Sequence, residues 1–320
     1  LTYDDDPYVV TVDGNIYWIV DAYTQSTLYP YSEPYDSRYG TNYVRNSVKI
    51  IIDAYNGDVD FYIVDEDDPI VMTLAKIYPK LFKSIDEMPE SFKAHLQYPN
   101  ALFNIQSQVY AKYHMTDVAV FYQNEDRWSI AKDIYDQSEA TMTANFFIMK
   151  LPGEERAEFV SAVPYTPYSK DNLTGILIAR TDGEHYGDIV LYQMPKSKTI
   201  YGPLQIEAKI NQNTEISSDF TLWSNSGSKY SRGEMFVIPI EDSLLYVEPI
   251  YLEASTGSLP EVKRGVMFYG DKVAYEPTLA EAVDSLFGEG AGDPLKTASP
   301  VVTGKQMAEE LRKAANTPQP

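Results

Sequence analysis

Apolar and polar positions come in short runs over most of the chain, and the runs pair off around turn signals. Residues 8–12 and 16–23 flank Asp13-Gly14-Asn15, while residues 48–55 and 58–64 flank Asn56-Gly57. Asn-Gly tolerates the positive φ angles that tight hairpin turns demand, so both pairs read as β-hairpins, the second with a well-specified register. Ile19-Val20-Asp21-Ala22-Tyr23 is echoed by Ile51-Ile52-Asp53-Ala54-Tyr55, as if two similar hairpins shared one sheet. Two copies fall short of a repeat architecture.

The period then changes. Pro69 follows four acids, Asp65-Glu66-Asp67-Asp68, and opens a helix through about residue 77. Acids suit a helix N-terminus because the macrodipole is positive there. Over residues 99–113, Leu102, Phe103, Ile105, Gln106, Val109, Tyr110 and Tyr113 fall on one face at roughly 100° per residue. Asn104, Ser107, Gln108 and Lys112 lie opposite, so the helix is expected to pack on one side. Gln106, inside the apolar face, must find partners or cost about 1–3 kcal/mol. Residues 118–122 read as a return to strand. From 145 onward the pattern is β, over 145–149, 158–163, 174–179, 188–193, 235–240, 244–251, 262–268 and 272–275. One helical island interrupts it at 204–222, with Thr214 as N-cap. Thr278 caps a last helix whose buried stripe is Leu279, Ala282, Val283, Leu286 and Phe287. Glu248-Pro249 sits in an apolar strand, and because proline offers no ladder donor this point is an edge or a bulge.

The fold class that follows is α+β and β-rich. Antiparallel hairpins form one or two sheets, with a packed helical segment near residues 70–115 and a short helix near 278–287. The expected organisation is 1–150, hairpins plus helical segment, and 151–288, mainly antiparallel β, divided near 150–153 and sharing one core. A flexible tail follows over 289–320, with one weak amphipathic segment at 305–315.

Composition narrows the function classes. The 320 residues are 44% hydrophobic, enough to bury a large core. Tyrosine alone accounts for 27 of them, which suits half-wet strands and broad binding surfaces. A net charge of −21 repels phosphate backbones and anionic bilayers, so no nucleic acid is expected, and cationic partners or divalent cations fit better. Cysteine is absent, which removes disulfides, thiolate catalysis and zinc–thiolate sites. No apolar run reaches the roughly 20 residues of a membrane helix. The chain starts at Leu1 and is expected to be a soluble piece of something larger.

Candidate chemistry is sparse. Asp58, Asp60, Asp65 and Asp67 offer hard oxygen ligands at close spacing, which makes calcium the candidate cofactor, although the ordered EF-hand pattern is missing. His114 and Asp117 are three apart, a spacing that can converge on a transition metal if the helix continues, and His95 could join only if the chain folds back. The alternative for His114 is a helix C-terminal cap. Carboxylate pairs for glycoside chemistry could come from Glu125, Asp126, Glu184 or Glu248. His185 lies in a turn-like segment. No G-x-S-x-G elbow, GxGxxG or P-loop pattern is present.

Several ordered motifs carry a resemblance. They are Asp6-Pro7-Tyr8 with Tyr17-Trp18-Ile19-Val20-Asp21-Ala22-Tyr23; His95, Tyr98-Pro99 and Leu102-Phe103; Tyr113-His114-Met115-Thr116-Asp117; and Pro164-Tyr165-Thr166-Pro167. Tyr201-Gly202-Pro203-Leu204-Gln205-Ile206-Glu207, Leu222-Trp223, Ser243-Leu244-Leu245-Tyr246-Val247-Glu248-Pro249 and Tyr269-Gly270-Asp271 continue it. Together they resemble the soluble portion of a bacterial group, the uncharacterised protein family 0182 membrane proteins, over nearly everything up to Gly288. Val118 stands where that family usually has Pro, and Gln97 where Arg is usual. The resemblance implies an extracytoplasmic domain preceded by a transmembrane block, which would be its natural partner, at the cell membrane; it brings no catalytic residues. Three functions follow as expectations. The first is a non-catalytic module binding an envelope component or a protein partner. The others are a metal-dependent or two-carboxylate hydrolase acting on envelope polymers, and a sensory or transport-accessory solute-binding domain.

Overall fold

A computed structural model describes residues 1–297 apart from 182, 226, 227, 241 and 255–258. It divides the chain into two units, one formed by Leu1–Lys132 with Thr141–Gln205, the other by Asp133–Ala140 with the chain from Ile206 onward. The division expected near 150–153 falls inside the first unit, in a turn between two paired strands.

The first unit opens with β1 (Thr2–Tyr3), β2 (Tyr8–Val12), β3 (Asn15–Ser26), β4 (Tyr43–Asp53), β5 (Val59–Ile63) and, after helix α1 (Pro69–Ile77), β6 (Phe82–Ser84). They build one six-stranded sheet in the order β1-β3-β4-β5-β6, with β2 also on β3. All pairs are antiparallel except β5–β6, which α1 makes parallel by carrying the chain back across the sheet. Asp13 and Gly14 take φ of 50° and 78°, and Gly57 takes 77°, the left-handed angles that the two hairpin turns require. Alternation divides the sheet's two faces. Ala22, Val48, Ile50 and Ile63 pack with Val71 of α1, while Val10, Ile19, Ile51 and Tyr62 pack with Met88 on the other side.

Helices α2 (Glu90–Lys93), α3 (Asn100–Tyr113) and α4 (Val118–Gln123) follow. Residues 118–122 are therefore helical and not a strand: Asp117 caps α4 by accepting from the N–H groups of Ala119 and Val120, and that cap overrides the β-branched residues behind it. In α3 the buried positions are Phe103, Ser107 and Ala111, so the face is rotated from the expected one and Val109 and Tyr113 are exposed. The helix packs where small residues admit a close approach, and Tyr165 donates its hydroxyl to the Ser107 carbonyl at 2.6 Å. Gln106 is pinned by the Tyr98 hydroxyl at 2.8 Å.

Strands β7 (Trp128–Ile130), β8 (Lys132–Tyr135), β9 (Ser138–Thr141), β10 (Asn145–Lys150), β11 (Ala157–Pro167), β12 (Gly175–Arg180) and β13 (Ile189–Gln193) come next. A five-stranded antiparallel sheet runs β10-β11-β12-β13 with β7 on β11, and β8–β9 pair separately.

Beyond these lie α5 (Pro203–Gln212), α6 (Thr214–Asn225), β14 (Ser228–Arg232), β15 (Phe236–Ile240), β16 (Ser243–Ala254), β17 (Glu261–Tyr269), β18 (Lys272–Glu276), α7 (Leu279–Phe287) and α8 (Asp293–Thr297). The helical island is two helices, and Asn213 caps the second, taking the N–H groups of Glu215 and Ile216 in place of Thr214. The second unit's sheet is β14-β16-β17-β18 with β15 on β16. Pro249 is neither on an edge strand nor at the bulge: β16 is central, and Pro249 falls between the stretch paired with β15 and the stretch paired with β14. There a missing N–H breaks no ladder. Thr278 caps α7 as expected, but the buried stripe is Ala280, Ala282 and Leu286, with Leu279 52% exposed. Residues 289–297 are held rather than free, since Asp284 accepts from the Gly292 N–H at 2.7 Å and from Lys296 at 2.9 Å. The rest of the expected tail, with its segment at 305–315, lies outside the described residues.

The class is thus α+β and β-rich, with the strands of the described residues in three main sheets and one two-stranded sheet. Among the described residues no helix is long and apolar enough to cross a membrane.

Candidate functional site

The residues singled out from the sequence are mostly occupied by local structure. Asp60 pairs with Lys83 at 2.6 Å and Asp65 with Arg45 at 3.0 Å, on the outside of the first sheet. Asp58 and Asp67 are exposed. Among the described residues no group of three or more acids and histidines is placed to hold a metal ion. The neighbouring Asp68 is fully buried, caps α1 through the Ile70 N–H, and accepts from Thr24, Ser47 and Tyr43. Burial opposes its charge, yet the Ser47, Thr24, Ile70 and Tyr43 donors outweigh that and hold its carboxyl below the usual range. His114 ends α3 with Nδ1 3.2 Å from the Tyr110 carbonyl and its ring stacked on Trp128 at 3.7 Å. Asp117 is spent on the α4 cap, and His95 is exposed. Glu125 and Glu184 are exposed, Asp126 pairs with Lys196, and His185 faces Asp188. Glu248 is 1% exposed and takes a forked pair of hydrogen bonds from Arg232.

The first unit instead brings together a set that the sequence reading passed over. In the β3–β4 register, Asp21 stands opposite Lys49, and both side chains are buried, with Lys49 1% and Asp21 5% exposed. They form an ion pair, and Asn46 adds a hydrogen bond to the same Asp21 oxygen, Oδ1, at 2.9 Å. Lys49 also donates to the Gln97 carbonyl at 2.7 Å, which the Tyr186 hydroxyl reaches at 3.1 Å, while the Gln97 N–H donates to the Tyr8 hydroxyl. Strand pleat and register thus deliver the ion pair, and the segment before α3 closes over it.

Beside this network opens a small cleft, lined by Asp4, Asp6, Tyr8, Asp21, Gln97, Tyr98, Pro99, Asn100, Ala101 and Phe146. Its walls are fixed. Tyr23 donates its hydroxyl to Asp4, and Asn100 is held between the Ala144 carbonyl and the Ser161 hydroxyl at 3.2 and 2.7 Å. Asp6 makes no side-chain bond, and Asp21 Oδ2 accepts no hydrogen bond from the described residues.

The electrostatics favour recognition. Burial outweighs the pull of Lys49 and Asn46 and leaves the Asp21 carboxyl raised. Burial opposes the Lys49 ammonium, yet its folded value is raised, and Asp21 is the ionisable partner that contacts it directly. Burial likewise raises the hydroxyls of Tyr8 and Tyr186, so they stay neutral and act as donors and acceptors rather than as bases. A sequence signal for the set did exist. Single charges of opposite sign, Asp21 and Lys49, interrupt apolar runs on two strands predicted to share a sheet, and a charge there must be paired.

Fold and site define an α+β module, rich in antiparallel sheet, with a preformed acidic and aromatic cleft resting on a buried ion pair. The chain belongs to the uncharacterised protein family UPF0182, whose profile matches residues 1–223. It is 54% identical over 289 residues to a UPF0182 protein of Alkaliphilus metalliredigens, covering 90% of this chain and 31% of that protein. A UPF0182 protein of Pelotomaculum thermopropionicum is 47% identical over 318 residues, 99% of this chain and 35% of the relative. One from Methanospirillum hungatei is 52% identical over 293 residues, 90% of this chain and 33% of the relative. The chain therefore spans about a third of the length of the curated relatives it matches. No solved structure matches it.

Proposed function

We propose that this chain is the extracytoplasmic part of a larger membrane protein at the cell envelope, and that it works as a non-catalytic binding module. Its first-unit cleft takes a small organic cation, an amine or a guanidinium carried by a solute or by a partner's side chain. The observation that carries this reading is Asp21: a buried acid that lines the cleft, with Oδ1 engaged by Lys49 and Asn46 and no hydrogen bond to Oδ2 from the described residues. Asp4 and Asp6 add negative charge, Tyr8, Tyr98 and Phe146 supply ring faces on which cations rest, and Gln97 and Asn100 supply amides. The resemblance to a family with a transmembrane block supports the placement, and the longer relatives leave room for such a block.

The test is titration of the chain with arginine amide and with a diamine, followed through the backbone amide resonances of Gln97, Asn100 and Ala101. Saturable shifts are expected, weakened several-fold in Asp6→Asn because an exposed ion pair contributes about 0.2–1 kcal/mol. Neither probe moving these resonances would overturn the reading.

A further inference from the structure

A second buried polar cluster lies in the second unit. Glu207 on α5, Arg232 at the end of β14, Glu248 on β16 and Asp133 on β8 are 2%, 4%, 1% and 2% exposed. Arg232 stands opposite Ile250 in the β14–β16 register, so Glu248, two residues along, lies diagonally across on the same face. Arg232 donates from Nε and Nη2 to the two oxygens of Glu248 at 2.6 and 2.9 Å, and from Nη1 to Asn211 Oδ1 at 3.0 Å. Glu207 Oε2 abuts Nη2 as well. Asp133 accepts from the Met235 N–H at 3.2 Å. Tyr230 and Glu234 are the other ionisable groups facing the cluster, toward Arg232 and Asp133 respectively. The ring of Phe220 closes it, 5.7 Å from the guanidinium carbon.

Three carboxyls share one guanidinium, which leaves two buried negative charges uncompensated if all ionise. Such charges are shed by protonation rather than tolerated. Glu248 takes both fork bonds and suits the ionised role. Both oxygens of Glu207 are buried without a well-formed hydrogen bond, although the Ile134 N–H and Arg232 approach them, and its side chain lies within reach of Glu248. We propose that Glu207 is held as a neutral carboxylic acid whose O–H donates a hydrogen bond to Glu248, so that the contacts of α5 with β14 and β16 form a latch which loosens when that proton leaves in alkali.

Burial, then the charge of Glu248, push Glu207 up to about 9 against the pull of Arg232. A carboxyl raised on folding contributes stability that is complete below the ordinary glutamate range and is lost as pH rises through the folded value. The latch is therefore closed in weak acid, weakened at neutral pH and open above about pH 9.

The experiment compares urea unfolding of the chain and of Glu207→Gln at a series of pH values from weak acid to mild alkali. The wild type is expected to lose stability across that window. Glu207→Gln, which keeps the shape without the titration, should lose much less, so that the difference between the two narrows or reverses toward alkaline pH. Parallel pH profiles would overturn the proposal. Should Glu207→Gln fail to fold, carboxyl-carbon NMR of the wild type decides: a Glu207 midpoint near 9 supports the latch, and one in the ordinary carboxylate range overturns it.

Discussion

Lys49 shows how one residue can hold a site that none of its sequence neighbours announce. It is flanked by Val48 and Ile50 and is 1% exposed, yet its ammonium meets Asp21 on the next strand and the Gln97 carbonyl from a distant segment. Removing one partner of a buried pair leaves the other charge unpaired, so Lys49→Ala should destabilise the first unit by about 3–5 kcal/mol. Replacing both, Lys49→Met with Asp21→Leu, should recover most of that loss. Denaturant unfolding measures both, and a single substitution no worse than the double would show that the pair is not coupled. The cleft should respond differently from the fold, because Asp6→Asn touches binding alone. Of this residue-level chemistry the sequence showed only the anomaly of isolated charges in apolar strands. Which charge met which was set by register.

At the scale of elements, Asp68 joins α1 to the first sheet. It caps the helix and also receives hydroxyls from Thr24 on β3 and from Ser47 and Tyr43 on β4. Asp68→Ala removes a cap contributing about 1 kcal/mol and leaves buried hydroxyls unpaired at about 1–3 kcal/mol, so a loss of roughly 2–4 kcal/mol is expected in thermal or urea unfolding. Because its folded carboxyl is depressed, that stability is present above the ordinary aspartate range and fades as pH falls through the folded value. A variant as stable as the wild type at neutral pH would remove Asp68 from this role. Both hairpin turns, the Pro69 helix and the Thr278 cap were legible, since each rests on local chemistry: positive φ, a missing donor, a side chain reaching its own helix. The face of α3 was not. Periodicity picks the more apolar side, whereas packing chose the side where Ser107 and Ala111 let Phe103 sit deep and Tyr165 reach a helix carbonyl.

For the whole molecule, the proposed extracytoplasmic placement makes a prediction of its own. In intact cells carrying a full-length relative, single cysteines introduced at the positions of exposed residues such as Leu28 or Tyr55, 85% and 95% exposed, should react with a membrane-impermeant thiol reagent. Reaction only after lysis would place the domain on the other side. The net charge of −21 agrees with a surface that attracts cations and repels nucleic acid and anionic lipid.

By itself the sequence determined the β-rich α+β class, most strand positions, the two tight hairpins, the acidic character and the family, because these depend on local pattern, turn chemistry and ordered motifs. Only the tertiary structure decided that the second unit takes Asp133–Ala140 together with the chain beyond Gln205, that β5 and β6 run parallel, and that residues 118–123 coil into a helix. It alone decided that Asp60 and Asp65 are drawn into separate ion pairs, while Asp21, Lys49 and Gln97, and likewise Glu207, Arg232 and Glu248, come together. The reason is physical. Pairing across strands and burial act between residues far apart in the chain, and the cost of an unpaired buried charge is felt only once a core exists to exclude water.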